Sequence, residues 1–331
     1  MIGIGILGAG DFGATHARAM REVEGLKLVA SCRGNIEALG AFTAEYGGKG
    51  YAAWQDLLAD KDVDAVVIAA PHALHEEMAI AAAEAGKHIL LEKPMAPTVA
   101  ACDAINAAAA RSGVKLQVGH MVHFTKPCLA ARRVIEEGAI GRPLMGSSWM
   151  IKLWMEHNRR DWHLKYSTGG GMLMTAGIHA LDRLVWLMDD EVAGVSAMLG
   201  AKSHVQEADD TALLGLRFKQ GGMGQVQSVG FQTGMGSFAM DLVCERGTLR
   251  IDMDRGTMLG QGGKWTELPD TVEPNWMHHA VTREWMGFRD ALRGDTPIEV
   301  TGAYGRTIIA VIEAAYAANT SRKEEKLADV R

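Results

Sequence analysis

Ile2-Gly3-Ile4-Gly5-Ile6-Leu7-Gly8-Ala9-Gly10-Asp11-Phe12-Gly13 is the stretch that decides the fold. Its first six residues form an apolar run of strand length, and residues 12–23 place apolar side chains at helical spacing. Between them Gly8-Ala9-Gly10-Asp11-Phe12-Gly13 fits G-x-G-x-x-G, directly after a strand and opening a helix, the context that gives the pattern meaning. With 39 glycines in the chain, a match elsewhere would say little. Here each glycine has its own task. Gly8 permits a tight turn, Gly10 lets a pyrophosphate approach the backbone, and Gly13 lets helix and strand pack closely, so that the helix N-terminus faces the phosphates.

Outward from this loop the alternation continues. Strands are predicted at 26–32, 64–70, 88–91 and 116–119, with helices through 46, over 75–85 and over 99–112. Asp64-Ala65-Val66-Val67-Ile68-Ala69-Ala70 is almost entirely apolar, as a strand covered on both faces must be. Strict strand–helix alternation implies an α/β fold with a doubly wound parallel sheet, a Rossmann domain over residues 1–122. At the end of the second strand, about 20 residues beyond the glycines, an acidic residue would hold the ribose hydroxyl of NAD. The chain reads Ala30-Ser31-Cys32-Arg33-Gly34-Asn35, with no carboxylate before Glu37. Arg33 can pair with a 2′-phosphate and Ser31 can add a hydroxyl donor, so NADP is expected over NAD, with NAD possible.

Ala85-Gly86-Lys87-His88-Ile89-Leu90-Leu91-Glu92-Lys93-Pro94 resembles the A-G-K-H-V-x-x-E-K-P signature of the glucose–fructose oxidoreductase/inositol dehydrogenase (Gfo/Idh/MocA) family. Ala70-Pro71-His72-Ala73-Leu74-His75, Gly169-Gly170-Gly171 and Gly177-Ile178-His179-Ala180-Leu181-Asp182 extend the resemblance over most of the chain. It implies a cis Lys93–Pro94 bond. It also adds to the cofactor contacts Asp11 and Phe12 at the loop, Pro71, His72 and His75 after the buried strand, and Glu92 and Lys93 after the next one. The chemistry of such enzymes needs a group that takes a hydroxyl proton while hydride moves to the nicotinamide. Lys93 stands at the carboxyl edge of the sheet, where a partly desolvated lysine beside a cationic ring has a lowered pKa.

A second constellation lies on a helix predicted over 172–188. Thr175, His179 and Asp182 fall at i, i+4 and i+7 and share a face. A histidine there can exchange protons at neutral pH, with a carboxylate fixing its tautomer. Taken alone, a histidine on a half-apolar helix is more often structural; the resemblance reverses that reading and implies that His179 transfers the proton. Thr175 stands where inositol-type members carry aspartate, and His123 stands where arginine is common, so substrate identity does not transfer. Both are expected on the substrate side. In Trp154-Met155-Glu156-His157-Asn158-Arg159-Arg160-Asp161-Trp162-His163, the aromatic Trp154 and Trp162 suit sugar or cyclitol faces, and Arg159 and Arg160 suit a carboxylate or phosphate. A subunit interface would use the same residue types.

Beyond residue 123 come a helix ending at Gly138, six predicted strands between 143 and 253, two helices near 276–293 and 303–319, and a polar tail. Residues 123–331 are thus expected to form an α+β substrate-binding and oligomerisation domain with an open, mostly antiparallel sheet. The resemblance implies that the far face of that sheet builds a homodimer or homotetramer. A formal charge of −6 and the lack of a basic stripe argue against nucleic-acid binding. No apolar stretch approaches membrane-span length. Cys32, Cys102, Cys128 and Cys244 are widely spaced, which suits a reducing cytoplasm and argues against zinc; His157 and His163 also lack zinc-ligand spacing, and no metal is expected. The residues together point to an NADP-preferring oxidoreductase of a sugar or cyclitol secondary alcohol. The alternatives are a dehydrogenase of aromatic cis-dihydrodiols and a non-catalytic NADP-binding regulator on the same scaffold.

Overall fold

Apolar runs short enough for strands and flanked by glycine turns set the first sheet. β1 (Ile2–Leu7) is followed by α1 (Asp11–Met20), β2 (Leu26–Cys32), α2 (Ile36–Tyr46), β3 (Lys49–Tyr51), α3 (Trp54–Leu58) and β4 (Ala65–Ile68). α4 (His75–Glu84), β5 (His88–Glu92), α5 (Val99–Ser112) and β6 (Leu116–Gly119) complete the series. All pairings are parallel, in the order β3-β2-β1-β4-β5-β6. β4 is buried at every residue, as its unbroken apolar sequence requires. The order reverses between β1 and β4, and ligands of such sheets bind outside the strand ends at that reversal. β3 and α3 were not foreseen; β3 is three residues long and α3 five, too short to show a period.

The computed structural model describes residues 1–155, 157 and 159–327, and the chain clusters into two units, 1–121 with 277–309 and 122–276 with 310–331. The division thus falls one residue before the expected 122/123 boundary, and a C-terminal segment read with the second region rejoins the first.

The second unit begins with α6 (Lys126–Glu136) and β7 (Pro143–Leu153), and continues through α7 (Ile178–Met188) to β8 (Val192–Gly200), β9 (Thr211–Phe218), β10 (Met223–Phe231) and β11 (Ser237–Cys244). β12 (Gly247–Asp252), β13 (Gly256–Gln261) and β14 (Lys264–Glu267) extend the sheet. Its order is β14-β13-β12-β11-β7-β10-β9-β8-β15, where β15 (Glu325–Lys326) is a short edge strand. Only β7 and β10 pair in parallel, so the sheet is mixed but mostly antiparallel. β10 alternates buried and half-buried residues, giving two unlike faces. α7 packs on one of them. Gly146 and Gly224 are cross-strand partners, and a Cβ on either would come within 3 Å of Leu184, so their missing side chains let α7 approach. The other face carries the row Val243, Met145 and Met223, all exposed.

Two further helices follow, α8 (Trp276–Arg293) and α9 (Gly302–Ser321). From Met277 to Ile309 this segment belongs to the first unit. The buried stripe of α8 is Ala280, Val281, Glu284, Trp285, Phe288 and Ala291, helical in spacing but interrupted by one carboxyl.

Candidate functional site

The glycine loop closes at the sheet reversal. Gly8 has φ +102°, and a Cβ there would lie 2.3 Å from the Ala69 carbonyl oxygen at the exit of β4. A Cβ at Gly13 would lie 2.4 Å from the Gly8 carbonyl oxygen. A Cβ at Gly10 would meet nothing within 4 Å. The chain's own packing therefore explains Gly8 and Gly13 but not Gly10, whose open space is what an approaching pyrophosphate requires. The loop fits a dinucleotide, which Gly10, Asp11 and Phe12 at the start of α1 would hold. Asp11 is exposed and Phe12 half-buried, its ring set edge-on to His16 at 5.2 Å.

The end of β2 is tied to the same loop. The Cys32 carbonyl accepts from both Gly8 and Ala9 backbone N–H groups, at 3.1 and 3.0 Å. Arg33 is exposed and donates from Nη1 to the Ala9 carbonyl oxygen at 3.1 Å, which holds a guanidinium over the loop. Ser31 is different: it is fully buried, its Oγ without a hydrogen-bond partner among the described residues.

After β4, Pro71 is exposed and His72 buried, and the His72 and His75 rings meet edge-on at 5.7 Å. Fully buried His75 places Nδ1 2.9 Å from the Pro94 carbonyl oxygen and Nε2 3.0 Å from that of Ala70. Burial holds its pKa below the ordinary value, so the ring is neutral and donates to one of the two. Donation to Pro94 ties the start of α4 to the turn after β5, and donation to Ala70 ties it to the exit of β4. In that turn the Lys93–Pro94 bond is cis, as the resemblance implies, and Lys93 is half-buried. Glu92 is buried, with Oε1 2.9 Å from His16 Nε2 and Oε2 accepting from the Lys93 backbone N–H at 3.2 Å. Both oxygens are engaged inside the unit.

In the second unit the helix expected over 172–188 starts as a π-helical turn, Leu173–Gly177, before α7. A Cβ at Gly177 would lie 2.2 Å from Ser228 Oγ of β10, so the glycine lets the widened turn press on the sheet. Thr175 lies in that turn, whereas His179 and Asp182 lie on α7, so the shared face inferred from uniform α spacing is interrupted. All three are buried. Asp182 Oδ1 lies 2.8 Å from Nε2 of buried His123, whose ring stacks on Trp186 at 4.1 Å. The His179 ring sits 6.4 Å from Phe238, over whose ring the fully buried Arg183 places its guanidinium at 4.3 Å.

The aromatic–arginine loop is largely occupied with itself. Trp154 is 1% exposed and donates to Gln206 Oε1 at 2.9 Å, with the Arg159 guanidinium 4.6 Å over its ring. Exposed Arg160 donates from Nη1 to the His157 and Arg159 carbonyl oxygens, and Trp162 stacks on His163 at 3.6 Å. Glu156 and Asn158 lie outside the described residues. The triple glycine supports this loop: a Cβ at Gly170 would lie 2.5 Å from the His163 carbonyl oxygen. Gly171 abuts Asp209, which sequence reasoning missed. Asp209 accepts from the Leu173 N–H through Oδ2 at 2.8 Å, has no hydrogen-bond partner for Oδ1 among the described residues, and its pKa is pushed by burial up to about 7. No local pattern marks it, because its significance lies entirely in burial.

Comparisons with known proteins agree with this geometry. Residues 2–120 match the oxidoreductase family with an NAD-binding Rossmann fold, and residues 128–250 match the GFO/IDH/MocA C-terminal domain. Inositol 2-dehydrogenase 1 of Saccharopolyspora erythraea is 32% identical over 78% of this chain and 77% of its own length. The 1,5-anhydro-D-fructose reductase of Ensifer adhaerens is 30% identical over 67% of each. Against the inositol 2-dehydrogenase of Salmonella typhimurium the match covers 59% of the relative's length. The WlbA dehydrogenase of Bordetella pertussis, solved with NADH and UDP-GlcNAcA, superimposes with a TM-score of 0.88 at 26% identity, covering 99% of this chain and 98% of that one. The chain belongs to the Gfo/Idh/MocA family of oxidoreductases.

Proposed function

From that membership we propose that the protein is an NADP-preferring dehydrogenase or reductase of a secondary alcohol or ketone on a sugar, sugar derivative or cyclitol. The observation that carries the cofactor preference is Arg33, exposed at the end of β2 and anchored to the Ala9 carbonyl, in a segment without a carboxylate. A cation held there favours a 2′-phosphate, and a guanidinium matches its geometry. The substrate class rests on the inositol dehydrogenase and anhydrofructose reductase relatives.

A bound nicotinamide supplies or accepts the hydride. The chain's own task is the proton. Lys93, half-buried in the turn after β5, is the group assigned to the hydroxyl proton. His179 is the second proton-transfer group, and Thr175, with a hydroxyl in place of a carboxylate, orients a substrate oxygen without competing as a base. His123, held by Asp182, and exposed Arg160 are further substrate-side groups. The apolar row Val243, Met145 and Met223 suits a homodimer or homotetramer contact.

Paired titrations with NADPH and NADH test the cofactor reading. We expect NADPH to bind at least ten-fold more tightly, and Arg33→Ala to weaken NADPH about 10–100-fold while leaving NADH within two-fold, the scale of one charged hydrogen-bonded contact. Equal affinities would overturn the preference.

A further inference from the structure

A buried chain of side chains in the first unit has no part in the proton chemistry just described. Trp285 of α8 donates from indole Nε1 to His16 Nδ1 at 3.0 Å, and His16 Nε2 lies 2.9 Å from Glu92 Oε1. Glu92 Oε2 in turn accepts the Lys93 N–H. Glu284, one residue before Trp285, adds a carboxyl to the same spot. One atom from each of His16, Glu92 and Glu284 lies within 4.8 Å of the others, and Glu284 has no hydrogen-bond partner for either oxygen among the described residues. His16, Glu284 and Trp285 are fully buried.

The hydrogen-bond directions follow from chemistry. An indole N–H can only donate, so His16 Nδ1 must accept, and the neutral ring carries its proton on Nε2 and donates to Glu92. Glu92 therefore has two donors and Glu284 none. Two adjacent buried carboxylates cannot both be charged without compensation, so the charge rests on Glu92 and Glu284 is the neutral acid. Burial and the neighbouring Glu92 raise the Glu284 pKa well above the usual carboxyl range, the same direction. The three groups are close enough for a divalent cation, but a metal on His16 Nε2 would force a proton onto Nδ1, against the Trp285 N–H. The tautomer speaks against a metal centre.

We infer that Trp285, His16 and Glu284 are positioning residues for the Glu92–Lys93 turn. The indole fixes the histidine tautomer, the histidine holds one oxygen of Glu92, and the other oxygen remains on the Lys93 amide. Glu284, as a neutral acid, leaves Glu92 as the single negative charge of the cluster. The kinetic consequence rests on the role proposed above for Lys93; the tautomer and protonation do not.

The test has two arms on the full-length protein. In protein labelled with 15N-histidine, with His16 assigned by its loss in His16→Gln, NMR should show the Nε2–H tautomer at neutral pH, unchanged by added Zn2+, and Trp285→Phe should shift the population away from it. An Nδ1–H tautomer in the wild type, or a Zn2+-dependent shift at His16, would overturn the inference. In the kinetic arm Trp285→Phe should lower kcat about ten-fold with the NADPH Kd within two-fold. Glu284→Ala should lower kcat similarly, and Glu284→Gln, a neutral isostere, should restore most of it. A Glu284→Gln enzyme as impaired as Glu284→Ala, or a Trp285→Phe enzyme with lost tautomer control and unchanged kcat, would overturn the positioning role. Should the wild type turn over no sugar or cyclitol, the proposed function fails, while the NMR arm still decides the hydrogen-bond chain. Should Trp285→Phe fail to fold, the wild-type spectrum and the Glu284 pair decide it.

Discussion

The glycine loop at 8–13 and the aromatic–arginine loop at 154–163 each looked, as sequence, like a ligand grip, and they fold in opposite ways. In the first the backbone is left bare, with glycines where a Cβ would collide at Gly8 and Gly13 and where it would meet only open space at Gly10. In the second the side chains are engaged by the protein itself: Trp154 with Gln206, Arg159 over Trp154, Arg160 with two backbone carbonyls, and Trp162 on His163. A grip made by backbone leaves a fixed spacing in the sequence. A grip made by side chains leaves only composition, and composition does not say which way a tryptophan points.

That contrast can be broken at several points, and the largest expected effect is at the reacting group. Lys93→Ala should lower kcat by about 10²–10⁴, the range of a lost proton-transfer group, with NADPH binding retained; unchanged turnover would return the protein to the class of cofactor-binding regulators. Within the glycine loop, Gly13→Val should raise the NADPH Kd more than 100-fold and lower Tm, because the added Cβ strikes the Gly8 carbonyl. Gly10→Ala should separate the two effects, raising Kd about ten-fold with Tm unchanged. A Gly10→Ala protein that binds NADPH normally would mean the open space is not the phosphate cradle.

In the second unit, Asp209 gives a pH test of burial. Its carboxyl is held protonated up to about pH 7 when folded but ionises near its ordinary value of 3.8 when unfolded. The unfolded chain therefore binds fewer protons between those values, and stability falls as pH rises from about 4 to 7, by at most about 4 kcal/mol, and is level above. Asp209→Asn should flatten that slope in urea melts across the range. Glu284, shifted in the same direction, will keep part of it. The smallest effect is expected at Arg160, whose replacement by alanine should raise KM a few-fold and leave stability within about 0.5 kcal/mol, as exposed positions do. An unchanged KM would make the whole loop a self-packed support.

Legibility followed burial and length. β1, β4, β5 and β6 were readable because strands covered on both faces must be apolar runs, and β2, with Lys27 exposed, was readable from its place in the strand–helix alternation. β13 and β14 were not: every residue of β14 is exposed, so no alternation is imposed on it. The glycine loop, Lys93 and the cis bond were visible through motifs. The His16–Glu92–Glu284–Trp285 cluster was not, since His16 and Trp285 lie 269 residues apart in sequence and meet only through the tertiary fold. The π-helical turn was missed for a related reason. Uniform α spacing is the default reading of residues 172–188, and Gly177 against Ser228 is a contact that no local pattern announces.

The return of residues 277–309 to the first unit has a consequence for synthesis. The nucleotide-binding sheet has its strands by residue 119, yet α1 waits for α8 to supply the indole that completes the His16 bond. On a ribosome, some 150 residues of the other unit emerge before that element does, an interval of about 10–30 s at ordinary elongation rates. A fragment cut at residue 121 would leave His16 without its Trp285 donor. An autonomous nucleotide-binding module would have to splice 277–309 onto residue 121 by a linker, joining in sequence what the fold already joins in space.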